Sequence, residues 1–176
     1  YEKGITLFDT ANGYQGGNNE TMLGNLFKEY PRNSFILATK VKPAQDREGK
    51  PTSEATGDNF LSMFSTSLER LQMDYVDILY VHDISTSEML EFKPIINAAR
   101  KLKKQGKVRF LGFSSHHGMG ELIKTAMELD YFDVIMLAYN VINHAFLDHL
   151  LTPAREKGIG LIAIADYHAA SADQGS

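Results

Sequence analysis

The feature of this sequence that most constrains its fold is a regular alternation of short apolar runs with longer amphipathic stretches. The apolar runs have the length of strands, and the longer stretches carry apolar residues at helical spacing. The predicted strands are residues 5–8, 35–41, 76–81, 108–113, 132–138 and 159–164. The predicted helices are residues 19–30, 59–71, 85–105, 121–129 and 146–157. Strands that alternate with helices predict a parallel sheet covered by helices.

The way such a sheet closes separates two fold classes. A doubly wound dinucleotide-binding sheet carries Gly-x-Gly-x-x-Gly directly after its first strand. Neither Gly16-Gly17 nor Gly118-Met119-Gly120 has that spacing. The pattern therefore favours a TIM-type (β/α)8 barrel. A complete barrel takes about 250 residues and this chain has 176, so we predict an α/β fold with an incomplete barrel of about six βα units.

The predicted barrel is a single domain. We assign it to residues 1–168, because no linker rich in proline or glycine interrupts the alternation. Residues 169–176 are small and polar, and we expect them to be disordered. Within the barrel, Ser85-x-x-Glu88 matches a capping box and predicts the start of the helix that ends at Gly106.

Composition and net charge exclude several classes of function. The formal net charge of -4 gives the chain no electrostatic reason to bind nucleic acid or anionic membrane. No apolar run approaches the roughly 20 residues of a membrane span. The chain contains no cysteine, which excludes disulfides, thiolate nucleophiles and cysteine-based metal sites. That absence fits a reducing compartment, and we expect a cytoplasmic protein.

Polar side chains stand where the apolar strands end. In a barrel, the chemistry lies at the C-terminal ends of the strands, which meet on one rim. From the first strand to the fifth, these ends carry Asp9 with Tyr14 just beyond it, Lys40, His82-Asp83, Ser114-Ser115-His116 and Tyr139-Asn140. We therefore expect an acid, a phenol, an ammonium and an imidazole to converge there.

Such a set of groups is suited to proton delivery. Reduction of a carbonyl by hydride builds negative charge on oxygen and needs a proton donor close by. A free tyrosine is a weak acid at neutral pH because its pKa is about 10, and a neighbouring ammonium favours the phenolate. An aspartate can keep the lysine charged and in place, and a neutral imidazole can orient the carbonyl by donating a hydrogen bond.

Several stretches resemble the aldo-keto reductase family, in the family's order and over nearly the whole chain. They are residues 4–11 with Tyr14, residues 20–24, residues 36–41, residues 67–82 and residues 106–114. The first is similar to the family's signature around its Asp and Tyr, the second to its E-x-x-L-G helix, and the third to its catalytic-lysine strand. The fourth resembles the S-L-x-R-L-x-x-D-Y-x-D segment with the catalytic histidine, and the last resembles G-K-x-R-x-x-G-x-S.

The resemblance implies a catalytic role for each matching residue. Tyr14 is implied to be the general acid, and Lys40 the cation that activates it. Asp9 is implied to be the partner of Lys40, and His82 the group that orients the carbonyl. The implied reaction is the reversible reduction of a small aldehyde or ketone to an alcohol, with NADPH or, less often, NADH as the cofactor.

The residues that the resemblance implies as cofactor contacts match the family pattern less closely than the catalytic residues do. Ser114, with Ser115, is implied to lie near the nicotinamide carboxamide, although serines there also cap helices often. The family usually has Asn where Ser115 stands, and Met136 stands where a Gln is common. The last strand ends in residues 164–167, without the aromatic or Lys-Pro pair that is frequent in the family. Asn140 either contacts the cofactor or caps a turn.

We predict no metal site. The neighbouring side chains of His116 and His117 point apart, and the spacing of His144 and His149 suits a single helix face poorly. Glu20, in the E-x-x-L-G segment, is expected to be structural rather than catalytic.

The resemblance also implies that parts of the barrel are absent. Family members have a strand and a helix before the position of Tyr1 and continue beyond the last strand seen here, so we expect a truncated member. Three other functions remain open: a Schiff-base enzyme using Lys40, a nicotinamide-sensing regulatory subunit of a membrane channel, and an inactive fragment of a reductase. Oligomeric state is not predicted.

Overall fold

The protein is an open, curled parallel sheet with helices on its outer side. A computed structural model describes residues 4–140 and 143–164. Its strands are β1 (Leu7–Asp9), β2 (Ile36–Val41), β3 (Val76–Val81), β4 (Val108–Ser115), β5 (Val134–Ala138) and β6 (Gly160–Ile164). The 6 strands are parallel and lie in the sheet in their order along the chain. A doubly wound sheet reverses its order at a switch point, so this order confirms the predicted incomplete (β/α)8 barrel.

Helices connect successive strands. They are α1 (Asn18–Phe27), α2 (Gly57–Leu71), α3 (Ser87–Leu90), α4 (Lys93–Lys104), α5 (Met119–Leu129) and α6 (His144–Glu156). None of the helices in the described ranges is long and apolar enough to cross a membrane. The tail predicted for residues 169–176 and the segment 165–167 that was compared with the family pattern lie outside the described residues.

The single helix predicted for residues 85–105 is wrong. The chain forms the short α3 and then α4, with Phe92 in an extended conformation between them. Pro94 lies in the first turn of α4, where its missing N–H is tolerated, whereas inside a longer helix its ring would clash with the preceding turn. The capping residue is Thr86 rather than Ser85, since the Thr86 hydroxyl accepts from the N–H of Met89 at 3.2 Å.

The strands in the middle of the sheet bury both of their faces, completely in β3 and β5 and along most of β2. On β3, Leu79 and Val81 point outward into the cluster that the helices cover, and Ile78 and Tyr80 point inward into the barrel. The inner cluster consists of Ala38, Ile78, Tyr80, Val134 and Met136. Burial on both faces explains why β3 lacks polar alternation, and each aliphatic side chain so buried contributes about 1.5–3 kcal/mol.

A buried carboxylate marks the N-terminal end of the strands. Asp77, 2% exposed, accepts hydrogen bonds from Arg32 at 2.6 Å and from Arg109 at 2.8 Å. It also accepts from the backbone N–H of Leu37 at 2.9 Å. This ion cluster of Asp77, Arg32 and Arg109 joins β2, β3 and β4 at the end of the barrel opposite to the candidate site. We therefore infer that it stabilises the fold and takes no part in the chemistry.

Candidate active site

The C-terminal ends of the strands surround a cavity of about 300 Å³. Its lining includes every residue predicted to be catalytic, together with residues from β4, β5 and β6. The lining residues are Asp9, Tyr14, Lys40, His82, Ser114, His116, Met136 and Ile164. The fold therefore brings together the four residues predicted to be catalytic, which are up to 73 positions apart (9 to 82) in the chain.

The ammonium of Lys40 is the centre of this cluster. The side chain is 2% exposed, because it points from β2 into the barrel. Its Nζ donates to Oδ2 of Asp9, to the carbonyl of Thr10 at 2.9 Å, and to the phenol oxygen of Tyr14 at 3.2 Å. An ammonium has three N–H donors, so all of them are used and one is directed at the phenol.

Asp9 balances the charge of Lys40. Its carboxylate stands at the end of β1, and its side chain is 32% exposed. Burial raises the pKa of Asp9, and the neighbouring Lys40 ammonium acts against that rise. The two groups form one ion pair at the rim.

Tyr14 stands in a tight turn between β1 and α1. The residues after it, Gln15, Gly16 and Gly17, all have positive φ, which turns the chain sharply into the helix. The phenol ring is 41% exposed and therefore accessible to a substrate. The ring also meets the imidazole of His82 edge-on, with centroids 5.9 Å apart.

His82 is neutral in this environment. Burial, followed by the positive charge of Lys40, lowers the pKa of His82 from 6.5 to about 4, although Asp83 acts in the opposite direction. At neutral pH the ring therefore carries one N–H donor and no charge. It can orient a carbonyl oxygen, but it is not a source of protons there.

Asp83 fixes the backbone immediately after His82, a role that the sequence analysis missed. It adopts φ 57, in the left-handed region that Asp tolerates better than most residues. Its carboxylate pairs with Lys42 at 2.6 Å, and its carbonyl accepts from Gln45 at 2.9 Å. Its N–H donates to the hydroxyl of Ser114 at 3.1 Å. These contacts hold the end of β3 against β2 and β4.

The residues predicted to contact the cofactor lie in different surroundings. Ser114 lines the cavity. The hydroxyl of Ser115 instead donates to the carbonyl of His117 at 2.6 Å and lies in a local turn. The side-chain oxygen of Asn140 accepts from the N–H of Asn143 at 3.2 Å, just before α6. A role for each in cofactor binding stays a prediction, with Ser114 the best placed.

Within residues 4–140 and 143–164, no group of three or more His, Cys, Asp or Glu side chains could hold a metal ion.

Comparisons with known proteins agree on one family. The profile of the Aldo/keto reductase family matches residues 1–169. L-galactose dehydrogenase of Arabidopsis thaliana is 34% identical over 180 residues, covering 93% of this chain and 51% of that protein. NADH-specific methylglyoxal reductase of Escherichia coli (strain K12) is 30% identical over 169 residues, covering 89% of this chain and 50% of that protein. The solved structure of aldo-keto reductase AKR11C1 from Bacillus halodurans (holo form) superposes with a TM-score of 0.76 at 27% identity, covering 92% of this chain and 53% of that chain.

A profile match over nearly the whole chain establishes the family, and the protein belongs to the aldo-keto reductases. This confirms the resemblance on which the site residues were assigned. The chain spans about half the length of the relatives described above, at 51%, 50% and 53%. Because the family consists of reductases, oxidoreduction is the class of chemistry to test for this chain.

Proposed function

We propose that the protein is a nicotinamide-dependent oxidoreductase that reduces a small aldehyde or ketone to an alcohol, with Tyr14 as the general acid. The observation that carries this proposal is the arrangement of Lys40, which donates to Tyr14 at 3.2 Å while Asp9 and the Thr10 carbonyl hold its other hydrogens. A phenol beside a buried ammonium is a proton donor prepared for a developing alkoxide.

The cavity suits a nicotinamide. The side chains of Met136 and Ile164 form an apolar wall, against which an aromatic ring can lie. The hydroxyl of Ser114 accepts from the N–H of Asp83, which leaves the hydroxyl hydrogen to donate to a carboxamide oxygen. A bound reduced nicotinamide supplies the hydride that the side chains of this site cannot supply.

Proton transfer is the contribution of Tyr14. As negative charge builds on the carbonyl oxygen, the phenol O–H gives its proton to that oxygen and becomes a phenolate. The Lys40 ammonium stabilises the phenolate through its hydrogen bond, and Asp9 holds that ammonium in place by pairing with it. Because the Lys40 ammonium is buried and fixed by three hydrogen bonds, it needs little reorganisation during the reaction.

His82 has an orienting role in this proposal. With its pKa near 4, the ring is a neutral N–H donor under physiological conditions. A neutral donor polarises the carbonyl without competing with Tyr14 as the acid. The edge-on contact of the two rings directs both groups to the same part of the cavity.

The reaction can run in either direction, since Tyr14 as phenolate can take a proton from an alcohol. The similar proteins include one named as a dehydrogenase and one named as a methylglyoxal reductase. We propose NADPH as the cofactor, with NADH as the alternative, because one relative is named as NADH-specific. Small aldehydes, including methylglyoxal, are the first substrates to test.

Deuterium transfer tests this function directly. The purified protein is incubated with NADPH or NADH in which both hydrogens at C4 of the nicotinamide are deuterium, together with methylglyoxal or 4-nitrobenzaldehyde. The proposal predicts an alcohol that contains one deuterium, detected by mass spectrometry. Tight binding of either cofactor without deuterium transfer would contradict the reductase and support a nicotinamide-sensing regulatory subunit. Borohydride trapping of the aldehyde on Lys40 would support Schiff-base chemistry instead.

A further inference from the structure

We propose that Arg70 and Glu20 are positioning residues for Tyr14: the contact of Arg70, 32% exposed, with the fully buried Glu20 fastens the turn that carries the phenol to the strand that carries Lys40. The inference rests on the proposed function, in which Tyr14 is the proton donor. Neither Arg70 nor Glu20 lines the cavity, so any effect on turnover is indirect, and a reporter at position 14 is needed to assign it to Tyr14.

Glu20 links α1 to the lysine strand. Its side chain is 0% exposed, and its Oε1 accepts from the hydroxyl of Thr39 at 2.6 Å. Thr39 is the residue before Lys40 on β2 and is itself fully buried. A carboxylate is this deeply buried only when it is paired and hydrogen-bonded, and its second oxygen accepts from Arg70 at 3.4 Å.

Arg70 extends this link to the turn itself. The same Nη1 atom donates to the carbonyl of Asn12 at 3.0 Å. Its guanidinium also lies directly against Gly17, where a Cβ atom would be 2.2 Å from Cζ of Arg70. Arg70 therefore contacts the backbone on both sides of Tyr14, before it at Asn12 and after it at Gly17.

The turn has a further attachment to β2. The N–H of Asn12 donates to the carbonyl of Lys40 at 2.9 Å, so the lysine backbone and the turn are already adjacent. Beyond that bond the chain adopts positive φ at Gln15 and Gly16, a conformation that is strained for Gln15. A strained turn keeps its shape only when its surroundings hold it, and Arg70 supplies contacts on both sides.

The ion cluster around Asp77 offers a matched control. Glu20 and Asp77 are both almost completely buried, and each is held by an arginine and at least one other donor. Arg109→Gln removes one of the two arginines that contact Asp77, and Arg70→Gln removes the arginine that contacts Glu20. The two changes alter charge equally, but Arg109 lies at the end of the barrel far from Tyr14.

The test places 3-fluorotyrosine at position 14 alone and records its 19F spectrum in the unchanged background, in Arg70→Gln and in Arg109→Gln. We expect Arg70→Gln to shift and broaden the resonance, while Arg109→Gln leaves both unchanged even if it lowers the melting temperature as much. In the unlabelled proteins, we expect Arg70→Gln to lower kcat about 10- to 100-fold, a part of the roughly 100- to 10,000-fold that general acid catalysis contributes, with the cofactor Kd unchanged. Arg70→Lys should recover part of that loss, because an ammonium keeps the positive charge of Arg70 but lacks the planar set of N–H donors of its guanidinium.

A second variant tests the contact after Tyr14. Gly17→Ala places a methyl group where the guanidinium lies, at a position whose φ of +93° also disfavours alanine. It should displace the same 19F resonance, whereas Gly13→Ala, where no atom lies within 4 Å, should not. A resonance at position 14 that is unchanged in both Arg70→Gln and Gly17→Ala would overturn the inference. The 19F spectrum can be recorded without turnover. An inactive wild-type protein would therefore contradict the proposed function, while the spectrum would still test the positioning role of Arg70 and Glu20.

Discussion

The Nζ atom of Lys40 lies 3.2 Å from the phenol oxygen of Tyr14 and, through its other hydrogens, is held by Asp9 and the carbonyl of Thr10. The two side chains come from different strand ends, so their separation is set by the pairing of β1 with β2. That pairing continues beyond β1, where the N–H of Thr10 donates to the carbonyl of Ala38 at 3.0 Å. The sheet itself thus aligns the proposed acid with its cation.

Lys40→Met, compared with a double variant, separates the contribution of Lys40 to turnover from its contribution to stability. Loss of the ammonium should lower turnover on the order of 100-fold or more. It should also lower the melting temperature at pH 7, because Asp9 loses its partner in a partly buried position. The double variant Asp9→Asn with Lys40→Met should regain stability without regaining turnover. Equal stability of the single and double variants, in thermal unfolding at pH 7, would contradict this division.

The pH dependence of stability should carry a signature of His82. The unfolded chain takes up a proton at this ring below pH 6.5, whereas the folded protein does so only near pH 4. The unfolded state therefore binds more protons between these values, and the free energy of unfolding falls as the pH is lowered from about 6.5 to about 4. At about 1.4 kcal/mol for each unit of pKa, the loss is a few kcal/mol.

Urea unfolding at several pH values measures that slope. His82→Gln should flatten it, since glutamine does not titrate. His149→Gln, on the exposed side of α6, should leave the slope as it is. A wild-type slope that persists in His82→Gln would show that other groups cause it.

Ser114 and Ser115 should differ in their effect on cofactor affinity. Ser114→Ala removes a hydroxyl from the cavity wall, and the loss of one hydrogen bond of about 0.5–1.5 kcal/mol should raise the Kd for NADPH several-fold. Ser115→Ala removes a hydroxyl that already donates to His117, so we expect a smaller change. Equilibrium fluorescence titration of NADPH measures both. A larger effect of Ser115→Ala would assign the carboxamide contact to Ser115.

Much of the fold follows from periodicity in the sequence. The strand Val76–Val81 was predicted with the bounds it has in the structure, because a continuous apolar run between turns leaves little freedom. The helix predicted for residues 85–105 was wrong because its apolar spacing concealed Pro94, which fits the first turn of a new helix but not the interior of a longer one.

The candidate site was also predictable from the sequence only in part. Strand ends could be read from the sequence, and with them the positions of Asp9, Lys40 and His82. The contacts of Arg70 could not, because they depend on how α2 lies against the turn before α1. The local bonds of Ser115 and Asn140 were also not predictable, since short polar side chains often bond to nearby backbone in place of a ligand.

Gly112 is required by packing inside the barrel. A Cβ atom there would lie 2.4 Å from the carbonyl oxygen of Val134 and 2.9 Å from Cδ1 of the buried Tyr80. Gly112→Ala should therefore lower the free energy of unfolding by about 1–3 kcal/mol. Gly160→Ala is the matched control, because Gly160 pairs with Val134 from the other side and a Cβ there meets nothing closer than 3.5 Å. Urea unfolding with equal losses for both variants would contradict this explanation.

The most direct test of the central claim compares Tyr14→Phe with Tyr131→Phe in NADPH oxidation by the purified protein with 4-nitrobenzaldehyde. Tyr131 donates its hydroxyl to the carbonyl of Leu90, away from the cavity, and serves as the control for loss of a phenol. We predict that Tyr14→Phe lowers turnover about 100- to 10,000-fold while NADPH still binds, and that Tyr131→Phe retains turnover. Turnover by Tyr14→Phe equal to that of the unchanged protein would show that Tyr14 is not the proton donor.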